Sequence, residues 1–200
     1  MWARLESNTI VEILTRPKAL NIGGTQYPSN IFSMWSNSEL ATIGIVPVTI
    51  DDTNLKNKEY YINTDITYAY DTETGKATGT YGSATAIDIA DTLYTAQDET
   101  DGLGTEGEVK QRGLKYAHKE RINQQAASIL QSTDWMIVRA TEGGTAVPSS
   151  ITTKRAAVRT KANAMCTQID AASDVDALAA LYVYNDATPP VRPLGELPTV

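Results

Sequence analysis

Apolar and polar positions alternate loosely through residues 2–14 and in further short β-prone runs up to Tyr81, then recur at spacings of three to five beyond residue 108. The first rhythm is that of half-buried strands and the second that of helices with one apolar stripe. Residues 2–14 carry Leu5, Ile10, Val11, Ile13 and Leu14 around Ser7-Asn8-Thr9, which predicts a strand–turn–strand hairpin. Arg16-Pro17 ends it, because proline has no amide N–H for a ladder. Gly23-Gly24 predicts a turn, and Tyr27-Pro28 an extended stretch, since a residue before proline avoids the helical region. Ser36-Asn37-Ser38-Glu39 has the spacing of a capping box, so a short helix through Leu40 is expected, closing at Gly44. Ile45–Ile50 reads as an edge strand with Pro47 marking its unpaired side. Tyr60-Tyr61-Ile62 and Ile66–Tyr70 are β-prone runs joined by Asn63-Thr64-Asp65, and the Asp71–Lys76 turn leads to a strand at Ala77–Tyr81.

From Ile87 the pattern changes. Asp88, Asp91, Asp98, Glu99 and Asp101 crowd together with Gly102, Gly104 and Gly107, which reads as an exposed acidic linker with a short strand at Ile87–Tyr94. A first long helix follows, with Leu114, Ala117, Ile122, Ala126 and Ile129 on a curved stripe ending at Leu130. In the second, Ile151, Arg155, Val158, Ala162, Met165 and Ile169 step alternately by four and three, a seam containing one arginine. The connection between them is long for a bare helical pair, which predicts a packed loop anchored by Trp135. Ser173-Asp174 opens a last short helix through Leu181, and four prolines between Ala187 and Val200 predict an extended tail.

The fold expected is therefore α+β: a small β-rich amino-terminal domain (1–86), an acidic linker (87–107), an antiparallel helical hairpin (108–186) and an extended Pro-rich tail (187–200).

Composition changes this picture in one respect. Ten Tyr and three Trp stand against one Phe, so most aromatic surface carries a polar handle suited to half-buried positions and interfaces. The net charge of −7 is uneven: residues 51–108 hold thirteen acids and three lysines, residues 109–165 ten bases and three acids. Neighbouring blocks of opposite sign satisfy one another or solvate helix faces before they need any outside partner. Lys154, Arg155, Arg159 and Lys161 lie on consecutive turns, but the chain is acidic overall and no aromatic set accompanies them, so nucleic acid is not an expected partner. The amino terminus lacks the pattern of a signal peptide and no apolar run approaches bilayer length, so the expectation is a soluble chain made in the cytoplasm, with no membrane partner.

The chemistry-bearing residues are few. His118 is the sole histidine, and flanked by Lys115, Lys119, Glu120 and Arg121 it reads as a surface residue. Cys166 is the sole cysteine; beside Met165 on the seam it reads as a small buried hydrophobe. One histidine and one cysteine exclude a multi-ligand site of those types within one chain, and the acids of 98–106 lack the regular spacing of a calcium loop. No cofactor or metal is expected, and no enzyme. A glycan-cleaving enzyme would need two carboxylates facing across a cleft, and pairings of the type Asp65 with Asp71 are open in the sequence.

One segment carries a resemblance. Gln124-Gln125-Ala126-Ala127-Ser128-Ile129-Leu130-Gln131-Ser132-Thr133-Asp134-Trp135 resembles the carboxy-terminal region of bacteriophage tail fibre assembly chaperones and related small phage tail proteins. In that group a helix ends in Thr-Asp-Trp, and a loop leads to a helix opening aromatic-Arg-x-x-Leu-Arg. Lys154-Arg155-Ala156-Ala157-Val158-Arg159 keeps both arginines and the apolar residue, while Lys154 replaces the aromatic and Ile151 an expected tryptophan. Arg192–Pro198 and the Trp2–Leu5, Tyr27-Pro28 and Trp35 layout are weaker matches to the same group. The resemblance implies a structural component of a phage tail (baseplate, fibre or tail tip), located in the virion and made in the host cytoplasm. Its expected partners are other tail or fibre proteins, with self-association inside an assembly. The alternative implied is a tail fibre assembly chaperone absent from the mature virion. Thr133, Asp134, Trp135, Arg155 and Arg159 are the candidate site: a turn, a ring folded back between the helices, and a cation pairing with Asp134.

Overall fold

The computed structural model describes residues 1–200, which form two units, Met1–Thr85 and Ala86–Val200. The fold is mixed α+β.

In the first unit, β1 (Trp2–Glu6) and β2 (Thr9–Leu14) are joined by Ser7 and Asn8, both at positive φ (49° and 62°). That is the two-residue turn whose twist suits a hairpin. The ribbon β3 (Leu20–Ile22) and β4 (Thr25–Tyr27) turns on Gly23-Gly24. After α1 (Ile31–Met34), α2 (Asn37–Thr42) starts with a complete capping box: the Ser36 amide donates to Glu39 Oε2 at 2.7 Å and the Glu39 amide to Ser36 Oγ at 3.2 Å. It stops at Gly44, whose φ of +79° and 2.7 Å approach of a notional Cβ to the Leu5 carbonyl oxygen admit only glycine.

β5 (Ile45–Asp51) is where the expectation of an edge strand fails. The sheet order is β2-β1-β5-β8-β7, with β7 (Ile66–Asp71) and β8 (Lys76–Tyr81) as a hairpin. β5 pairs antiparallel with β1 over Ile45–Pro47 and parallel with β8 from Val48 onward. The Val48 amide donates to the Met1 carbonyl, so the proline nitrogen one residue earlier faces the other side, before the β8 ladder begins. Proline is tolerated here because a central strand changes partners at that point. Along β5 and β1 the alternation sends Ile45 and Trp2 to a cluster with Leu14, Leu20, Ile31 and Leu40, and Val46 and Ala3 to a second with Ala77 and Tyr70. The sheet curls until β2 and β7 approach each other. β6 (Tyr61–Ile62) and β9 (Thr85–Ala86) form a short ribbon. Asp71 accepts from the Glu73 and Thr74 amides in the β7–β8 turn, while Asp65 precedes β7. At ~3.3 Å per residue the two acids are roughly 20 Å apart, too far for the two-carboxylate arrangement.

In the second unit, residues 87–107 are not a bare linker. They contain β10 (Thr92–Leu93) and α3 (Ala96–Thr100), and β10 pairs with β11 (Val109–Gln111). Asp98 and Asp91 act as caps. Asp98 closes a capping box with Thr95 and pairs with Lys110 at 2.7 Å; Asp91 accepts from the Gly113 amide at 2.8 Å. The Leu114 and Lys115 amides donate to the Asp88 and Ile89 carbonyls, so this segment covers the start of α4 (Leu114–Gln131). The bond from Lys110, followed by those from Thr95, lowers the Asp98 carboxyl from 3.8 to about 2. A depressed carboxyl contributes stability that is present above the ordinary range and lost as pH falls through the folded value. The Tyr94–Lys110 loop is therefore expected to stay closed at pH 3.5 and open towards pH 2, read as loss of amide protection at Tyr94 and Gly107.

α5 (Asp134–Thr141), α6 (Ser149–Ala171) and α7 (Val175–Ala180) complete the unit. Lys115 near the start of α4 donates to the Asp170 carbonyl near the end of α6, while Arg155 in α6 reaches Leu130 near the end of α4, so the two helices run in opposite directions. Between them lie Ile122, Ala126, Val158, Ala162, Met165 and Ile169, all buried. His118 is not a surface residue: it is 1% exposed and its Nδ1 lies 2.8 Å from the Tyr182 hydroxyl. The charged neighbours on α4 point elsewhere, and sequence adjacency on a helix does not define a face. The tail is not free either. The Leu194 side chain is fully buried, its amide donates to the Leu181 carbonyl, and Lys161 Nζ donates to the Leu194 carbonyl. Arg192 pairs with Glu196 and lies over the rings of Tyr182 and Tyr184. Prolines forbid a helix there but leave side chains and carbonyls able to dock.

Candidate interaction site

α4 ends at Gln131 and leaves carbonyls without helical partners. The Thr133 amide and hydroxyl both donate to the Leu130 carbonyl, each at 3.0 Å. From α6, Arg155 Nη1 donates to the same carbonyl at 2.7 Å and to Thr133 Oγ1 at 2.6 Å, and Nη2 to Asp134 Oδ1 at 2.8 Å. One planar guanidinium thus neutralises the negative end of α4 and holds the cap and the first residue of the next helix. Thr133 is 7% exposed and Arg155 9%, so the clamp is nearly dry on the cation's side and open to water at Asp134.

The clamp starts a helix where a loop was expected. Asp134 occupies the first turn of α5, and Gly143 at φ +84° with the Gly144 amide on the Arg139 carbonyl stops it. Trp135 is not folded between the long helices: it is 54% exposed, with Arg139 lying 4.8 Å over its ring. Met136, Arg139 and Ala140 are half-buried, while Ile137 and Val138, at 40% and 55%, are exposed with Trp135. The helical register places Met136, Arg139 and Ala140 on one side and Asp134, Ile137 and Val138 on the other, with Trp135 at the boundary beside Arg139. Arg159 is exposed one turn along α6 and takes no part in the ion pair with Asp134. Of the five candidates the structure therefore brings together Thr133, Asp134 and Arg155, displays Trp135 and leaves Arg159 outside. Arg139 was missed. Its spacing of four from Trp135 becomes informative once Asp134 is read as a helix start and Gly143-Gly144 as its stop.

No helix is long and apolar enough to cross a membrane, and no three His, Cys, Asp or Glu side chains are grouped to hold a metal ion. Cys166 lies in a shallow polar groove with Asn123 and Asp170, and burial pushes its thiol above the ordinary range. The reactive thiolate is thereby disfavoured.

The chain matches no family model, no curated protein and no solved structure.

What the arrangement does chemically is hold Trp135, Ile137 and Val138 out to solvent on a helix anchored at Arg155. Trp135→Ala is expected to change stability by less than about 1 kcal/mol, the loss of one exposed ring and its cation contact. Thermal denaturation checks this, and a loss several times larger would mean the ring is buried in solution.

Proposed function

We propose that the chain is a structural component of a bacteriophage tail, at the baseplate, fibre or tail tip, working through protein–protein contacts and not through catalysis. The observation that carries this reading is α5: a short helix pinned by Arg155 that holds Trp135, Ile137 and Val138 out to solvent. Exposed aromatic and aliphatic side chains on a fixed element are the residues that anchor interfaces. In this reading α4 and α6 are the helical hairpin of the resembled phage proteins, and α5 is the contact surface at its apex. The partners are other tail or fibre proteins and further copies in the assembly, and the place of action is the virion.

The second reading, an assembly chaperone absent from the finished particle, draws on the same motif, because Thr133-Asp134-Trp135 is the wording of that group. Mass spectrometry of purified particles from a phage encoding the chain separates the two. Presence in fixed ratio to known tail proteins is the expected result. Absence from particles, with misfolded fibres when the gene is deleted, would replace the structural reading with the chaperone. Trp135→Asp is expected to block incorporation while leaving the melting temperature within a few degrees.

A further inference from the structure

The curled sheet of the first unit carries both a packed cluster and a groove on one face. Its inner face fills with Ala3, Val46, Ala77 and Tyr70 towards one side. Beyond Gly79 the same face opens into a groove of about 380 Å³ lined by Leu55, Ile66, Tyr68 and Tyr81. Tyr68 is paired across the ladder with Gly79. A Cβ on that glycine would lie 2.8 Å from Tyr68 Cε1 and 2.8 Å from Ile50 Cδ1. Tyr68 therefore packs over the glycine together with Ile50 and with Ile66, whose Cγ2 lies 2.9 Å from the same point, and it lines the groove. Tyr81, paired with Ile66, is its diagonal neighbour on that face, and both tyrosines line the groove.

The rim is polar and unspent. Lys58, Thr64 and Asp65 line it, and the side chains of Lys58 and Asp65 make no hydrogen bond or ion pair. Asn63 is different: its amide is consumed on both sides by the Lys56 backbone, at 2.8 Å each, which fixes the loop that carries Thr64 and Asp65. The groove thus offers two tyrosine rings together with one acceptor-only group, one donor-only group and one hydroxyl.

We propose that this groove binds a neutral oligosaccharide. A pyranose has an apolar C–H face that packs on an aromatic ring and an equatorial belt of hydroxyls that needs donors and acceptors together. Charge argues against a polyanion: residues 51–85 hold six acids against three lysines, and nucleic acid or a sulfated glycan requires the reverse balance. The inference is independent of α5, which lies in the other unit, and it stands or falls without the tail assignment.

The test is a titration of the ¹⁵N-labelled full chain with maltotriose, cellotriose and tri-N-acetylchitotriose to millimolar concentration, with saturation-transfer NMR on each sugar. Saturable shifts at residues 63–68 and Tyr81 with at least one of the three are expected, together with transfer to sugar C–H protons. Asp65→Ala, on the exposed rim, is expected to weaken binding about tenfold, and Tyr68→Ala to abolish it. Should Tyr68→Ala fail to fold because it uncovers Gly79, Asp65→Ala still decides. No saturable shift with any of the three, shifts confined to other residues, undiminished binding by Asp65→Ala, or displacement of the sugar by a heparin oligosaccharide would each overturn the proposal.

Discussion

Arg155→Ala is expected to destabilise the Ala86–Val200 unit by about 3 kcal/mol, the cost of deleting one partner of a buried, hydrogen-bonded charge. The Leu130 carbonyl loses one of its three donors, and the Thr133 hydroxyl oxygen and the Asp134 carboxylate each lose the guanidinium. The first two lie on the buried side, where water cannot replace the guanidinium without a cavity. Asp134 is half exposed and simply resolvates, so Asp134→Ala is expected to cost less than about 1 kcal/mol. Arg155→Lys keeps the charge but cannot hold three acceptors in one plane, and should lose about half as much as alanine. Chemical denaturation of the four proteins checks the order. Equal losses for Arg155→Ala and Asp134→Ala would show that the ion pair, and not the helix-end carbonyl, carries the effect. The functional consequence follows from the same bonds, since α5 begins on the clamp and a loosened clamp leaves Trp135 without a fixed position.

Leu194→Ala is expected to cost about 2–4 kcal/mol, a core-sized penalty for a residue outside every helix and strand. Its side chain is fully buried, while Val191 and Pro193 close by are exposed. The Lys161 ammonium on its carbonyl and the Arg192–Glu196 pair hold the chain in place around it. Proteolysis at low protease concentration provides a second readout: Leu194→Ala should expose the tail to cleavage under conditions where the parent chain is intact. A loss below about 1 kcal/mol would mean that the tail docks without contributing to the core.

What was legible in the sequence was what local chemistry dictates. The Ser7-Asn8 turn, the Ser36–Glu39 capping box, the Gly44 stop and the Asp71–Lys76 turn each follow from side chains within a few residues of the backbone groups they satisfy. The α6 seam was legible because burial repeats along one helix face, and Arg155 within it stood out as a charge needing a partner. Non-local features were not legible. Burial of His118 depends on Tyr182, and capping of α4 by Asp91 depends on the chain folding back over a distance no spacing rule spans. Acids near glycines read as a solvated linker when their targets lie beyond the window. α5 was hidden for another reason: its signals, Asp134 at one end and Gly143-Gly144 at the other, were present but assigned to a packed loop. The platform of Tyr68 over Gly79 required the β7–β8 register, which an isolated tyrosine-rich run does not contain.

The split pairing of β5 has a consequence for how the first unit forms. Its contacts with β1 join residues already close to completion once the chain has passed Asp51, whereas its parallel contacts with β8 must wait for residues 76–81. Closing that loop carries an entropic cost before any ladder bond repays it, and parallel pairing of distant segments is slow for that reason. A growing chain therefore spends time with the second half of β5, Val48–Asp51, unsatisfied along one side. Refolding should show two phases, an early one reporting burial of Trp2 and Trp35 and a later one reporting the tyrosines of β7 and β8. Between the two, the uncovered strand is the place where one nascent chain can capture another.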